Sequence, residues 1–192
     1  MTTIALIGPG AIGGTIAAWL AQNREFAVTV CARTPFEDLQ VETPQGMIRA
    51  QPEVLTDPVK ASVVDWVLVA TKTYDADSIR PWLERLVGER TRMAIIQNGV
   101  EHVRLFQHLL PAERLVPVMI NLPAVRSAPG RIVQHRHGII AVPAGRNGED
   151  FAALFAQTEI EAAAHEDFLS QLWIKLTGNC AAIVPALTLR AT

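Results

Sequence analysis

The chain has 192 residues, of which 49% are hydrophobic and 19% charged, and this excludes a disordered or low-complexity protein. Its net charge of −2 comes without a lysine- or arginine-rich run, so we expect no nucleic-acid or membrane partner. The apolar runs are strand-sized and no basic leader precedes the first, which predicts a cytoplasmic protein without a signal peptide. Cys31 and Cys180 lie in apolar segments, where we expect two buried free thiols rather than a disulfide or metal pair.

Strand and helix patterns alternate along the first two thirds of the chain. Apolar runs predict buried strands at 4–7, 26–31, 63–70, 93–96 and 115–120. Helical spacing of apolar residues predicts helices from 12 to about 22, over 75–87 and over 103–110. A Pro-Gln-Gly turn between 39–43 and 47–50 predicts a small hairpin. This alternation predicts an α/β fold with a doubly wound parallel sheet of the Rossmann type.

The last third of the chain has a different pattern. Residues 131–135 and 138–142 predict two tightly joined antiparallel strands, an antiparallel extension at the edge of the sheet. A short helix at 150–157, a strand at 160–164 and a long helix from 167 to about 184 follow. His135-Arg136-His137 falls at the predicted hairpin without a suitably spaced cysteine or acid, so we expect a solvated turn and no metal site.

A glycine-rich turn joins the first strand to the first helix. Gly8, Gly10 and Gly13 form a G-x-G-x-x-G pattern in the strand–helix–strand setting that dinucleotide binding requires. Gly8 permits the tight turn, Gly10 lets the backbone approach a pyrophosphate, and Gly13 lets the helix pack closely on the strand. The helix N-terminus supplies N–H groups and partial positive charge to phosphates. A glycine turn without a ligand is the alternative.

The end of the second predicted strand favours NADP(H). A site that prefers NAD places a carboxylate there to accept from the ribose 2′-OH, whereas this chain has Arg33 and no acid until Glu37. A guanidinium forms charge-assisted hydrogen bonds with a 2′-phosphate. We therefore expect NADP(H), the alternative being that Arg33 is a solvated surface residue.

Polar residues follow two more strands, and a lysine lies on the last helix. Lys72 and Asn98 come directly after buried strands and are expected to face the crevice at the carboxyl ends, although a loop lysine and an Asn-Gly turn explain them equally well. Lys175 and Asn179 are four residues apart and share a helix face with apolar neighbours. Partial burial would lower the pKa of Lys175 towards that of a general acid, unless its stem merely covers the core.

Taken in order, these motifs resemble the ketopantoate reductase (2-dehydropantoate 2-reductase) family. The resemblance rests on the glycine loop, on Lys72, on Gln97-Asn98-Gly99 and on Trp173-x-Lys175-Leu176-x-x-Asn179. It implies an N-terminal Rossmann domain followed by a helical domain, with the substrate in the cleft between them. It also implies an oxidoreductase that reduces 2-dehydropantoate with NADPH in pantothenate biosynthesis.

The resemblance further implies a role for each matching residue. Lys175 would be the general acid that protonates the substrate oxygen. Asn98 and Asn179 would contact the substrate, with Asn98 also beside the nicotinamide. The expected cofactor-binding residues are Gly8, Pro9, Gly10, Ala11, Ile12, Gly13, Arg33, Lys72, Asn98 and Ala124.

Departures from the family pattern bear on the substrate and on the domains. Ile183 stands where the family has a second asparagine one turn after Asn179, which implies a different 2-keto acid or a weak activity. The resemblance divides the chain into an NADP-binding domain over 1–165 and, over 166–192, the first helix of a helical substrate domain that is otherwise absent. Apolar residues of that helix would need cover, and a homodimer would supply it.

Two other functions remain open. One is a non-catalytic or truncated NADP-binding module, which would bind NADPH tightly and turn over no keto acid. The other is a β-hydroxyacid dehydrogenase, because that family also has a glycine loop and a Lys-x-x-x-Asn helix. Gln97-Asn98-Gly99 and Trp173 favour the ketopantoate reductase resemblance over this second alternative.

Overall fold

A computed structural model describes residues 1–188, with the side chains of all but residues 76, 77 and 182–188. The strands, numbered along the chain, are β1 (Thr2–Ile7), β2 (Phe26–Cys31), β3 (Leu39–Thr43), β4 (Gly46–Ala50), β5 (Glu53–Leu55), β6 (Trp66–Val69), β7 (Arg92–Ile95), β8 (Leu115–Pro117), β9 (Met119–Asn121), β10 (Ala124–Ala128), β11 (Arg131–Gln134), β12 (Gly138–Pro143) and β13 (Ile160–His165). The α-helices are α1 (Ala11–Leu20), α2 (Arg80–Leu86), α3 (His102–Phe106), α4 (Arg146–Ala153) and α5 (Phe168–Thr188).

Six strands form a parallel sheet in the order β5-β2-β1-β6-β7-β8, and every neighbouring pair runs parallel. Counted along the chain, this is the order 3-2-1-4-5-6 of a Rossmann sheet, with its switch point between β1 and β6. The predicted doubly wound parallel sheet is therefore confirmed. Ligands bind such sheets at the switch point, outside the carboxyl ends of the strands.

Alternation along the strands divides the core between the two faces of this sheet. In β1, Ile4 and Leu6 pack on the side of α1, while Ala5 and Ile7 pack on the side of α2 and α3. All four are at most 2% exposed, and burying an aliphatic side chain of the larger kind contributes roughly 1.5–3 kcal/mol. This two-sided packing fixes where the glycine loop leaves β1 and where α1 begins.

Several predicted elements are confirmed with changed bounds. The strand expected at 115–120 is two strands, because Val118 separates β8 in the parallel sheet from β9 in another sheet. The helix expected at 75–87 is a 3-10 helix over Thr73–Ile79 followed by α2. β5 was not predicted, since a three-residue strand at a sheet edge carries almost no periodic signal.

Two smaller sheets stand in place of the hairpin predicted over 131–142. β11 pairs with β10 and β3 in the sheet β10-β11-β3-β4, whereas β12 pairs with β9 and β13. The prediction that these two strands pair with each other is wrong. A two-residue hairpin needs residues with positive φ, and none of His135-Arg136-His137 has one, so the chain passes from one sheet to the other. The antiparallel pairs are instead β3–β4, β10–β11 and β9–β12.

α1 lies between the parallel sheet and the four-stranded sheet. It contacts β1 and β2 on one side and β3, β4, β10 and β11 on the other. The approach is close, because a Cβ atom at Gly14 would collide with the Ile132 side chain of β11. The four-stranded sheet is thereby brought up to the glycine loop.

α5 docks on β12 and on the turn after β7. Phe168 and Leu172, one helical turn apart, pack on Ala141, with Val100 and Met119 partly buried beside them. The predicted domain boundary between 165 and 166 falls at the turn between β13 and α5, and it stays a prediction. Within residues 1–188, no helix has the length and apolar character needed to cross a membrane.

Candidate active site

A cavity of about 380 Å³ opens at the carboxyl ends of β1, β2 and β6, and we call it the larger cavity. It lies at the switch point where Rossmann sheets bind their ligands. Its described lining residues are Ile7, Gly8, Pro9, Gly10, Cys31, Ala32, Arg33, Thr34, Phe36, Ala70, Thr71, Lys72, Tyr74, Asp75, Ser78, Ile79, Trp82, Arg126 and Pro129. The sequence predicts five of these as site residues: Gly8, Pro9, Gly10, Arg33 and Lys72.

The glycine loop has a different structural constraint at each glycine. Gly8 has φ +90°, and a Cβ there would lie 2.9 Å from the backbone nitrogen of Thr71. A Cβ at Gly13 would collide with the carbonyl oxygen of Gly8 and lie 2.9 Å from Ala70 Cβ, so Gly13 permits close packing of α1 on the sheet. A Cβ at Gly10 would meet nothing within 4 Å. Gly10 therefore lies at open space within the cavity lining, where a ligand can approach the backbone.

The N-terminus of α1 is suited to an anion. Its N-cap residue is Gly10, and no side chain within the described part of the chain caps this end of the helix. Its first turn contains no acidic residue. The N–H groups of the first turn lack intrahelical acceptors, and the helix dipole adds partial positive charge there. Ala11, Ile12 and Gly13 form this turn directly behind the cavity-lining segment 8–10.

Three cationic side chains line the larger cavity: Arg33 after β2, Lys72 after β6, and Arg126 on β10. All three are exposed. Asp75 lines the same cavity, with its Oδ2 3.9 Å from Nη2 of Arg33. The cations give the cavity the charge that phosphates require.

A second cleft, the lysine cleft, lies between α5 and the turn after β7. Its lining residues are Gln97, Asn98, Gly99, Met119, Leu172, Lys175, Leu176 and Asn179. Lys175 Nζ donates a hydrogen bond to Asn98 Oδ1 at 3.1 Å and another to the Ile120 carbonyl oxygen. The structure thus brings together the three residues that the sequence predicts for substrate chemistry: Asn98, Lys175 and Asn179.

Burial changes the proton affinity of the lysine. Lys175 is half-buried, and desolvation of its ammonium lowers the pKa below the ordinary lysine value. Its two hydrogen bonds are donated to neutral oxygen acceptors rather than to a carboxylate. The lysine cleft itself measures about 10 Å³, room for about one water molecule.

A buried polar network joins the two clefts. Gln97 is 5% exposed, and its Nε2 donates to the carbonyl oxygen of Thr71 at 3.0 Å and to Thr71 Oγ1 at 3.3 Å. His102, 2% exposed, donates from Nε2 to the Gln97 carbonyl oxygen at 2.6 Å, and desolvation lowers the pKa of its ring. Gln97 therefore ties the segment that carries Asn98 to the segment that carries Lys72.

Ala124, a predicted cofactor-binding residue, lies apart from both clefts, and the side chain of Ile183, which departs from the family pattern, is not described. Ala124 begins β10 and is half-buried, and the described linings of both cavities lack it, although Arg126 two positions later lines the larger one. The side chain of Ile183 lies outside the described residues.

Sequence reasoning did not find Asp75, Arg126, Thr71 or Phe36. Each reaches the cavity from a loop, a 3-10 helix or a strand whose position only the fold defines.

Cys31 lines the larger cavity, whereas Cys180 and the histidine turn fall outside the described linings of both clefts. Cys31 is buried, and burial raises the pKa of its thiol to about 12. Cys180 is exposed, so the expectation of two buried thiols is wrong for it, because it lies on the open side of α5. His137 is exposed and lies 4.0 Å from Glu159. Among the side chains that are described, no group of three or more His, Cys, Asp or Glu is placed to hold a metal ion.

Comparison with known proteins gives consistent matches. The family profile described as ketopantoate reductase PanE/ApbA matches residues 4–147. A 2-dehydropantoate 2-reductase of Caulobacter vibrioides is 59% identical over 190 residues, covering 99% of this chain and 66% of that relative. The crystal structure of 2-dehydropantoate 2-reductase from Geobacter metallireducens superposes with a TM-score of 0.78 at 26% identity, covering 85% of this chain and 57% of that one.

A dimeric ketopantoate reductase from Staphylococcus aureus has the same fold. It superposes with a TM-score of 0.72 at 22% identity, covering 91% of this chain and 58% of that one. The chain therefore spans about two thirds of the Caulobacter vibrioides relative and less of these two solved chains.

Proposed function

The chain belongs to the ketopantoate reductase PanE/ApbA family, and we propose that it binds NADPH and acts in reducing a 2-keto acid of the 2-dehydropantoate type. The larger cavity holds the dinucleotide in this proposal, and the lysine cleft faces the substrate carbonyl. One observation carries this proposal: Lys175 Nζ lies 3.1 Å from Asn98 Oδ1. The larger cavity, whose charge suits phosphates, is tied to this contact through Gln97.

The residues of the larger cavity fit a dinucleotide. A pyrophosphate requires open space beside the backbone and an uncapped helix N-terminus, which Gly10 and the start of α1 provide. A 2′-phosphate requires a cation, and three line this cavity. We assign the pyrophosphate to the loop 8–13, the 2′-phosphate to Arg33, and a further cofactor contact to Lys72. A backbone contact at Ala124 and a nicotinamide contact at Asn98 complete the assignment.

Lys175 is the proton donor in this proposal. When bound, NADPH would supply the hydride that the carbonyl carbon of the keto acid receives. The Lys175 ammonium donates a proton from Nζ to the carbonyl oxygen, which gives the 2-hydroxy acid. Asn98 Oδ1 and the Ile120 carbonyl orient Nζ, and burial eases loss of the proton because it already disfavours the charged form. Asn179, one helical turn further along, hydrogen-bonds the substrate.

Cofactor titration and turnover together test this function. Fluorescence titration of the purified protein is expected to give tighter binding of NADPH than of NADH. Arg33→Gln should remove most of that difference, while Arg24→Gln, an exposed arginine at the opposite end of β2, should preserve it. A panel of keto acids should show turnover of ketopantoate. Oxidation of 3-hydroxyisobutyrate-type acids with NADP⁺ as the hydride acceptor, together with no turnover of ketopantoate, would identify a β-hydroxyacid dehydrogenase instead.

Cofactor binding without turnover is the second candidate function. Its support is the volume of the lysine cleft, since about 10 Å³ does not enclose a keto acid. This function predicts NADPH binding and no NADPH oxidation with any member of the keto acid panel. Turnover of ketopantoate by the purified chain would exclude it.

We also propose that the chain forms a homodimer. Leu169, Trp173 and Ile174 on α5 are 62%, 51% and 72% exposed, and exposed apolar patches of this kind mark interaction surfaces. Sedimentation velocity should give a dimer for the native sequence and a shift towards monomer for Trp173→Ser. A single monomeric species at all concentrations would contradict the proposal.

A further inference from the structure

The larger cavity contains a carboxylate where a phosphate is proposed to bind. Among its described lining residues Asp75 is the one acid; the cations Arg33, Lys72 and Arg126 line the same cavity, and Arg33 lies 3.9 Å from Asp75. The end of β2 carries no ribose-binding acid before Glu37. The fold supplies one from elsewhere, because the loop after β6 runs beside the end of β2.

The backbone holds Asp75 in place more firmly than Arg33 is held. Asp75 lies in the 3-10 helix Thr73–Ile79, where its N–H donates to the Lys72 carbonyl oxygen at 2.9 Å and its own carbonyl oxygen accepts from Ser78 Oγ at 2.7 Å. Its side chain is 24% exposed, whereas that of Arg33 is 86% exposed. The backbone that carries the carboxylate is therefore held at the cavity wall, and the more exposed guanidinium has more room to turn towards a ligand.

A carboxylate at this position favours the binding of NADH and disfavours the binding of NADPH. It can accept a hydrogen bond from the 2′-OH of NADH, as the acid of an NAD-preferring site does. It repels the 2′-phosphate of NADPH, and it competes with that phosphate for the Arg33 guanidinium, whose Nη2 is already 3.9 Å from Asp75 Oδ2. Arg33 and Asp75 thus favour different cofactors.

We propose that Asp75 is a specificity-determining residue that reduces the preference of this site for NADPH and allows NADH to bind. This rests on the proposed dinucleotide function. The balance between the Arg33 guanidinium and the Asp75 carboxylate, 3.9 Å apart, sets the ratio of the two affinities.

Binding measurements on Asp75→Asn test the proposal without relying on turnover. The ratio of NADPH to NADH affinity, measured by fluorescence titration, should rise about fivefold, the size of effect that one partly exposed charge produces. Calorimetry with cofactor fragments should show tighter binding of 2′,5′-ADP and unchanged or weaker binding of 5′-AMP. Asp75→Ser should change the ratios in the same direction, which separates the loss of charge from any effect of the new amide.

The control variant removes a negative charge at a position far from the cavity. Glu25 is exposed and precedes β2, at the end of the sheet opposite the cavity, so Glu25→Gln should leave both ratios unchanged. An unchanged or lower NADPH-to-NADH ratio in Asp75→Asn and Asp75→Ser overturns the inference while leaving the dinucleotide site intact. Failure of the native protein to bind either dinucleotide overturns the proposed function and this inference together.

Discussion

Lys175 Nζ lies 3.1 Å from Asn98 Oδ1, although 77 positions separate the two residues in the chain. The contact depends on two independent parts of the fold. The parallel sheet ends β7 just before Asn98, and the packing of Phe168 and Leu172 on Ala141 holds α5 against it. Neither part alone would place an amide beside a half-buried lysine.

The pH dependence of turnover follows from the state of this lysine. In the proposed mechanism the ammonium is the proton donor, so kcat should fall as pH rises through the pKa of Lys175. Because burial lowers that pKa, the midpoint should lie below the ordinary lysine value. Asn98→Asp would place a negative charge beside Nζ, favour the ammonium and move the midpoint to higher pH. Asn23→Asp, at the opposite end of the sheet, should leave the midpoint in place; a common shift in both variants would contradict the assignment.

The glycine loop offers a paired test of binding against folding. Gly10→Ala adds a methyl group where nothing lies within 4 Å, so stability should change by less than about 0.5 kcal/mol. Because that methyl group enters the space proposed for the pyrophosphate, NADPH affinity should fall on the order of tenfold.

Gly13→Ala should lower the free energy of unfolding, which Gly10→Ala leaves nearly unchanged. Its methyl group would collide with the Gly8 carbonyl oxygen, and such overpacking costs about 1–3 kcal/mol. Denaturant unfolding and NADPH titration on both variants check the pair. Equal losses of stability in the two variants would contradict the different roles assigned to these glycines.

Gln97 should act as a positioning residue between the two clefts. Gln97→Met keeps the side-chain length and removes both hydrogen bonds to Thr71, so stability should fall by about 1–3 kcal/mol. The link between the Lys72 and Asn98 segments would be lost as well, so kcat should fall more than KM rises. Gln107→Met, on an exposed side chain at the end of α3, is the control. A loss of stability with kcat unchanged would show that Gln97 has a purely structural role and would contradict its role as a positioning residue.

The fold was predictable where local patterns determine it. Buried apolar runs and the glycine loop predict the parallel sheet, because strands covered on both faces leave a continuous apolar signal. The predicted pairing of 131–135 with 138–142 is wrong, because two strand-like runs with a short link resemble a hairpin. β11 pairs with β10, which immediately precedes it, and with β3, while β12 pairs with β9 and β13; β3, β9 and β13 lie farther away in the sequence.

The site was predictable only in part, for the same physical reason. Gly8, Lys72 and Lys175 each stand in a local motif. Asp75 and Arg126 stand in none, because Asp75 enters the cavity through a 3-10 helix and Arg126 through an edge strand of a second sheet. The side chains of Asp75 and Arg126 come to line the same cavity as the predicted residues Arg33 and Lys72 only when the whole domain has folded.

Replacing Lys175 by alanine tests the central claim most directly, with NADPH affinity and ketopantoate turnover measured on the same sample. Loss of a general acid should lower kcat about 10²–10⁴-fold while leaving NADPH affinity nearly unchanged, because Lys175 lies in the lysine cleft rather than in the larger cavity. Lys60→Ala, on an exposed turn, should leave both quantities at the native level. Turnover that survives in Lys175→Ala would contradict the account.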